Sequence, residues 1–465
     1  MSDCEEFIMD AGRITSAKDM TEGNINLLLV QFAAPLIVGN LFQMMYNTVD
    51  SLVVGNFVGK EALAAVGSTT MIINMLVFFF NGVSTGAGVV ISRYYGAHRE
   101  DRLHTAVETT IFVTFVCGVL FTVIGVAMIR PMLDFMSTPD DVMDDASVYL
   151  TIYFSGISGL LVYNMGSGVL RAVGDTRRPL LFLIFTSVVN AVLDLLFVIG
   201  FHAGVAGVAC ATIISQFLSA GMILLLLSRV RDVYRLTWRD LRCDFSILKQ
   251  IFTIGLPAGV QSVLTAFSNV FVQSYVNSFG SSCMAGWSCY NKLDSFIMLP
   301  MQSMSNAATT FVGQNIGAGK MDRVNRGTVR SVVLTVEFTA VIAALLFVFA
   351  RPATRMFNSD GEVIGYGTMF LRTNVFFMLC NCVNHTLAGA LRGRGDSTGP
   401  MVIMLANFVA VRQLYLLIVT RYISNTAQLV GFSYPVGWTA CCIVEVAYYY
   451  LRWRRKRDCG TQKLK

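Results

Sequence analysis

Apolar residues run along this chain in long blocks, separated by short polar stretches that hold most of the glycines, prolines and charges. An α-helix rises about 1.5 Å per residue, so crossing roughly 30 Å of hydrocarbon takes about 20 mostly apolar residues. Twelve blocks reach that length: 26–49, 62–91, 105–129, 146–169, 179–200, 204–227, 250–276, 283–312, 328–350, 364–390, 400–420 and 427–450. The pattern predicts an all-α polytopic membrane protein with twelve transmembrane helices. Composition agrees. Hydrophobic residues make up 54% and charged residues 14%, and the mean hydropathy is +0.60, which argues against the two or three soluble domains that 465 residues would otherwise suggest.

The blocks fall into two sets of six. LRAVGDTRRP at 170–179 returns as LRGRGDSTGP at 391–400, with Leu170/Leu391, Arg171/Arg392, Gly174/Gly395, Asp175/Asp396 and Pro179/Pro400 identical. The same 221-residue offset pairs Gly96, Ala97, Asp101 and Arg102 with Gly317, Ala318, Asp322 and Arg323, and a one-residue gap then pairs Pro35 with Pro257. Collinear matches of this kind mark an internal duplication. Six spans is an even number, so the second copy enters from the same side as the first. The copies are parallel repeats, expected as an N-lobe and a C-lobe around a central cavity that rock to give alternating access. The expected division is a cytoplasmic segment 1–25, N-lobe 26–227, basic linker 228–249, C-lobe 250–450 and basic tail 451–465.

Charge sets the orientation. One set of loops carries most of the arginines, including Arg171, Arg177, Arg178, Arg229, Arg231, Arg235, Arg323, Arg326, Arg330, Arg392 and Arg394, while the opposite loops hold Lys60, Arg130, Arg351, Arg355 and Arg421. The positive-inside rule then places both termini in the cytoplasm and the chain in the inner (cytoplasmic) membrane. The net charge of +6 is thereby accounted for by topology and anionic lipid headgroups, with no nucleic-acid partner implied. Asp3, Glu5, Glu6, Asp10 and Asp19 precede the first block, the reverse of a signal peptide's basic start, so the first span is expected to be retained. The eleven cysteines are scattered without metal-site spacing and read as small buried residues. No phosphate-binding GxxxxGK[ST], HExxH or GxSxG motif occurs, so neither ATP-driven transport nor an enzyme is indicated, and no cofactor is called for.

Polar residues inside the blocks carry the chemistry. In span 1, Asn40, Gln43, Asn47 and Asp50 recur at spacings of 3, 4 and 3 and share one helical face. Such a stripe cannot face lipid, where an unsatisfied polar group costs several kcal/mol. Asn74, Asn81 and Thr85 form a weaker stripe on span 2, Asn164 lies on span 4, Ser187, Asn190 and Asp194 share a face of span 5, and Thr212 and Gln216 lie on span 6. The repeat offset carries Asn190 onto Val411, Asp194 onto Tyr415, and Asp50 onto Phe271 or Val272. The second copy lacks the carboxylate pair, so cation coupling is assigned to the first bundle. Desolvation raises a carboxyl's pKa, and a second carboxyl nearby raises one of the pair further. Asp50 and Asp194 are thus suited to share a proton, although the oxygens of Asp50, Asn190, Asp194 and Thr212 would equally suit Na+, and a purely structural, hydrogen-bonded role is the bland alternative. Asn40, Gln43, Asn47, Asn74, Asn81, Asn164, Met298 and Met301 are the substrate-cavity candidates, methionine because it repacks around dissimilar ligands. Arg412 and Glu445, on neighbouring spans, are expected to form an ion pair, and Lys292 and Asp294, two apart, to face different ways.

These residues carry a family resemblance. The two LRxxGD turns, MYNTVDSLVVG in span 1, VVNAVLDLLFVIG in span 5 and GQNIGAGKMDR after span 8 resemble the multidrug and toxic compound extrusion (MATE) family along residues 24–450. The acid in span 1 with Asn and Asp in span 5 is similar to the branch named for the DNA-damage-inducible protein F. The resemblance implies that Asp50, Asn190, Asp194 and Thr212 form the N-lobe cation site. It also implies a monomeric antiporter that exports small organic cations or amphipathic drugs in exchange for H+ or Na+. The pattern departs from the family's other large branch in having no carboxylate in span 7 and Asn374, Asn381 and His385 in span 10, and from the family's usual span 11 in Gln413 after Arg412. A lipid-linked precursor flippase of the same broader superfamily is the alternative. Such a cavity needs several inward cations for a pyrophosphate headgroup, and away from the span ends only Lys292, Arg372 and Arg412 lie within spans.

Overall fold

The computed structural model describes residues 18–136 and 138–454, and among them there is no strand. Every predicted span is a helix or a broken helix. The first repeat contains α1 (Ile25–Val53), α2 (Lys60–Gly96), α3 (Glu100–Phe135), α4 (Asp140–Ser155), α5 (Ile157–Ala172), α6 (Arg177–Leu195) and α7 (Gly204–Arg229). The second contains α8 (Phe245–Asn277), α9 (Ser281–Gly317), α10 (Met321–Val348), the short α11 (Ala350–Arg355), α12 (Gly361–Asn374) and α13 (Met378–Gly393). It closes with α14 (Thr398–Leu405), α15 (Arg412–Ile418), α16 (Ala427–Gly431) and α17 (Ser433–Arg454). Among the described residues ten helices are long and apolar enough to cross a membrane, and α4 with α5, bent by 48°, makes an eleventh. The remaining span, α9, has 37 residues and is too polar for that test. Its polarity has a use inside protein: it buries Ser303, Ser305, Thr309 and Thr310, and Ser305 and Thr309 donate to the carbonyls of His385 and Gly389 at 2.6 and 2.8 Å.

The duplicated LRxxGD sequence is a turn that stops one helix and starts the next. Gly174 and Gly395 adopt φ of +89° and +78°, the left-handed region that glycine enters without steric cost. The following Asp175 and Asp396 N–H groups bond back to the carbonyls of Leu170 and Leu391 at 2.9 and 3.0 Å. Each aspartate then accepts, through Oδ1, the backbone N–H three residues on, Arg178 at 3.2 Å and Gly399 at 3.1 Å, which caps the next helix. Pro179 and Pro400 sit in the first turn, where a missing N–H is harmless. The copies differ in their second contact. Asp175 pairs with Arg178 at 3.3 Å with both side chains buried, while Asp396 pairs with the half-exposed Arg452 at 2.9 Å and accepts from the Tyr448 hydroxyl. Burial pushes the Asp175 carboxyl above its ordinary value, against the pull of the Arg178 guanidinium.

By contact the chain forms two units. Unit 1 comprises 18–22, Ala34–Gly259 and Gly313–Lys320, and unit 2 comprises Gly23–Ala33, Val260–Val312 and 321–454. The main core of unit 1 is built from Val90, Ile91, Val107, Ile111, Val169, Leu170, Ile223 and Ile251, on α2, α3, α5, α7 and the start of α8. That of unit 2 is built around Trp287, Tyr290, Ile297, Met301, Phe370, Leu371 and Met404. In lipid the hydrophobic effect does not drive helices together, so close packing and small residues must. In unit 1 a Cβ on Gly82 would fall 2.2 Å from the Gly259 nitrogen, and one on Gly86 would fall 2.3 Å from the Ile251 carbonyl oxygen. Only glycine permits that approach of α2 to the first half of α8. The segment 18–22 is tied into the same unit: Met20, 1% exposed, donates its N–H to Gln314 Oε1 at 2.8 Å, and Gln314 Nε2 donates to the Ala172 carbonyl at 2.9 Å.

Candidate functional site

Three helices of unit 1 bring buried polar side chains together. On α6, Thr186, Asn190 and Asp194 recur every four residues, so they stack along one stripe, and their exposures are 3%, 0% and 0%. On α7, Thr212, Ser215 and Ser219 form the facing stripe, each exposed by 5% or less. The stripes meet where Ser219 Oγ lies 2.8 Å from Thr186 Oγ1. From α1, the Tyr46 hydroxyl donates to Thr212 Oγ1 at 3.4 Å. Together with α5, these helices line a half-open cavity of about 60 Å3 bordered by Gln43, Tyr46, Tyr163, Thr186, Ser187, Ser215, Gln216 and Ser219, with Leu160 and Leu183.

Both acid-bearing helices change geometry next to their acids. Two residues past Asp194 the chain widens into a π turn, Leu196–Gly200, and four residues past position 50 it does so again at Val54–Val58. Each closes with a bond from residue i+5, Phe201 N–H to the Leu196 carbonyl at 3.0 Å and Gly59 N–H to the Val54 carbonyl at 3.2 Å. The two π turns touch. Such turns break the regular carbonyl ladder and are frequent at functional sites.

Asn190, Asp194 and Thr212 are buried on the facing helices α6 and α7, and none stands without a partner. The side chains of Asn47 and Asp50 lie outside the described residues; their backbone belongs to the last turns of α1, beside Tyr46. Gln43 lines the cavity, and Asn40 is half-buried one turn earlier. Asn164 is spent locally, donating to the Leu160 carbonyl at 3.0 Å, and Asn74 and Asn81 are exposed on α2. Met301 is fully buried in the apolar core of unit 2, and the sulfur of Met298 accepts from Asn381 at 3.5 Å. Tyr46, Tyr163, Thr186, Ser215 and Ser219 were not singled out from sequence, because an aromatic or a lone hydroxyl in an apolar run reads as packing. The signal available was the recurrence at 212, 215 and 219.

A profile of the MatE family matches this chain twice, over residues 35–196 and 257–414. The two matches begin at Pro35 and Pro257, the prolines paired by the internal repeat. The chain belongs to the MATE family. It is 30% identical over 440 residues to the probable multidrug resistance protein YpnP of Bacillus subtilis (strain 168), covering 94% of this chain and 98% of that one. It is 27% identical over 434 residues to the probable multidrug resistance protein YoeA of the same strain, covering 92% and 94%. A solved outward-facing multidrug resistance MATE family transporter of the MOP superfamily superposes with a TM-score of 0.89 at 22% identity, covering 96% of this chain and 99% of that one, a likeness of fold. As a MATE protein the chain is a multi-pass membrane transporter and not an enzyme.

In this MATE chain unit 2 has polar groups of its own, arranged differently from the sequence-based expectation. Arg412 makes no ion pair with Glu445 among the described residues. Its guanidinium donates to Asn269 at 2.9 Å and to Ser268, and lies 4.8 Å from the Tyr434 ring centroid. Glu445, 0% exposed, instead feels Arg392, which donates to Gln261 Oε1 at 2.9 Å. The physical reason is helix rotation: adjacency in chain order does not fix which faces meet, and a π turn at Ala406–Val411 precedes Arg412. Lys292 and Asp294 face apart as expected, Lys292 over the Phe357 ring at 5.5 Å and Asp294 in electrostatic contact with Tyr290 and Tyr434.

Proposed function

We propose that this MATE chain is a cation-coupled antiporter that exports organic cations or amphipathic drugs in exchange for H+ or Na+. The observation that carries the reading is Asp194, a wholly buried carboxylate one turn from the equally buried Asn190 on α6, with α7 and its buried Thr212 packed alongside. A carboxylate inside a membrane helix is costly and marks an ion path by default. In this reading Asp50 completes the set from α1, which supports kinship to the branch with acids in spans 1 and 5. The coupling ion enters the N-terminal repeat, its binding shifts the equilibrium between two openings, and the transporter works as a monomer in the inner membrane with both termini cytoplasmic. The loop arginines support that orientation, and the multidrug resistance names of two relatives support the substrate class. The ion binds without a prosthetic group, and Gln43 and Tyr46 offer the polar approach to it.

The test is dye accumulation in drug-sensitive cells. The wild type should lower accumulation of a fluorescent cationic dye, and Asp194→Asn, expressed to the same level in the membrane, should not. Undiminished efflux by Asp194→Asn would reject the coupling role.

A further inference from the structure

A second site lies away from the buried acids. In unit 2 a cleft of about 670 Å3 opens where the start of α1 meets the first turns of α10, lined in part by Asn24, Ile25, Arg323, Arg326, Val329 and Arg330. Three guanidinium groups line it and no carboxylate does. Arg323 is committed to the protein: it donates to the Gly23 carbonyl at 2.8 Å and lies 5.5 Å from the Phe311 ring centroid. Arg326 and Arg330 are four residues apart, hence on one face of α10, exposed, and without an ion pair among the described residues. Asn24 caps α1, its Oδ1 accepting the N–H groups of Asn26 and Leu27 at 3.0 and 3.3 Å, and the positive end of the helix dipole adds to the arginine charge. Arg394 joins the same end of the unit, donating to Asn325 at 2.8 Å.

Uncompensated charge of one sign in a cleft calls for an anion, and paired guanidinium forks match phosphate geometry. The cleft also has an apolar continuation. Val329, between the arginines, is 56% exposed, and Val333, one turn on along the same face of α10, is exposed as well. We propose that this cleft binds a phosphate group, carried either by the headgroup of an anionic phospholipid whose chains lie along α10 or by soluble phosphate. Basic pockets between membrane helices on the cytoplasmic side take such headgroups, and each arginine near the surface contributes enough that losing two weakens binding about thirtyfold.

The test uses the full-length purified protein and the double variant Arg326→Gln/Arg330→Gln. Native mass spectrometry with phosphatidylglycerol and phosphatidylcholine, and thermal unfolding with added inorganic phosphate, separate the sources. The expected result is saturable retention of phosphatidylglycerol over phosphatidylcholine by the wild type, weakened about thirtyfold in the variant. The variant should keep the wild-type unfolding temperature when no lipid is added, since both side chains are exposed. Saturable stabilisation by inorganic phosphate, lost in the variant, supports the site with soluble phosphate as its source. Equal retention of both lipids, or equal behaviour of wild type and variant toward lipid and phosphate, overturns it.

Discussion

The two copies of one aspartate show how the same residue acquires different energetic weight. Asp175 and Asp396 cap equivalent helices, a contribution of about 1 kcal/mol each. Asp175 also compensates a buried guanidinium, whereas the partner of Asp396 is 48% exposed and its pair is correspondingly weak. Removing one member of a buried pair strands the other at a cost of about 3 to 5 kcal/mol. Asp175→Ala should therefore lower the unfolding temperature of the detergent-solubilised protein markedly, and Asp396→Ala only slightly; equal losses would contradict this reading of the two turns. The LRxxGD pattern made both turns legible, since glycine, aspartate and proline stand where a helix must stop and restart. It did not reveal Tyr46, whose hydroxyl reaches Thr212, because a tyrosine in an apolar run looks like bundle filling. Nor did it give the partner of Arg412, which depends on helix rotation and not on spacing.

At the scale of the helix, length and apolar character located a helix or broken helix for each of the twelve predicted blocks, ten or eleven of them apolar enough to cross a membrane among the described residues. The internal breaks were not legible: the bend between α4 and α5 and the π turns after Asp194 and beyond position 50 change hydrogen-bond register without changing composition. Contacts between helices were also hidden, although the cause is chemical and simple. A membrane helix approaches another closely only where side chains are absent, as α2 does at Gly82 and Gly86. Gly82→Ala would force its methyl into the Gly259 backbone and should destabilise the protein by about 1 to 3 kcal/mol, as overpacking does. Gly221→Ala on α7, where a Cβ meets nothing within 4 Å, should be neutral or slightly stabilising through helix propensity. Thermal unfolding of the two variants compares them directly, and equal effects would show that the α2 approach is not tight.

For the whole molecule, the duplication is complete in scaffold and incomplete in chemistry. The turns, the prolines and the family match repeat, but Asn190 and Asp194 correspond to Val411 and Tyr415. The proposed coupling ion therefore belongs to one copy, and a single ion binding on one side of a duplicated scaffold is enough to bias its two openings. For an uncharged amphipathic substrate, one positive charge moving through about 100 mV yields about 2.3 kcal/mol and one pH unit adds about 1.4 kcal/mol, together a gradient of several hundredfold; a monovalent cation exchanged one for one cancels the electrical part, which leaves about tenfold per pH unit. The measurement closest to this claim is flux of a cationic dye in proteoliposomes with pH and Na+ gradients imposed separately, for the wild type and Asp194→Asn. One of the two gradients should drive wild-type uptake or efflux against the dye's own gradient, and neither should drive it in Asp194→Asn. Gradient-driven transport that survives the substitution, or wild-type movement that responds to neither ion, would contradict the claim.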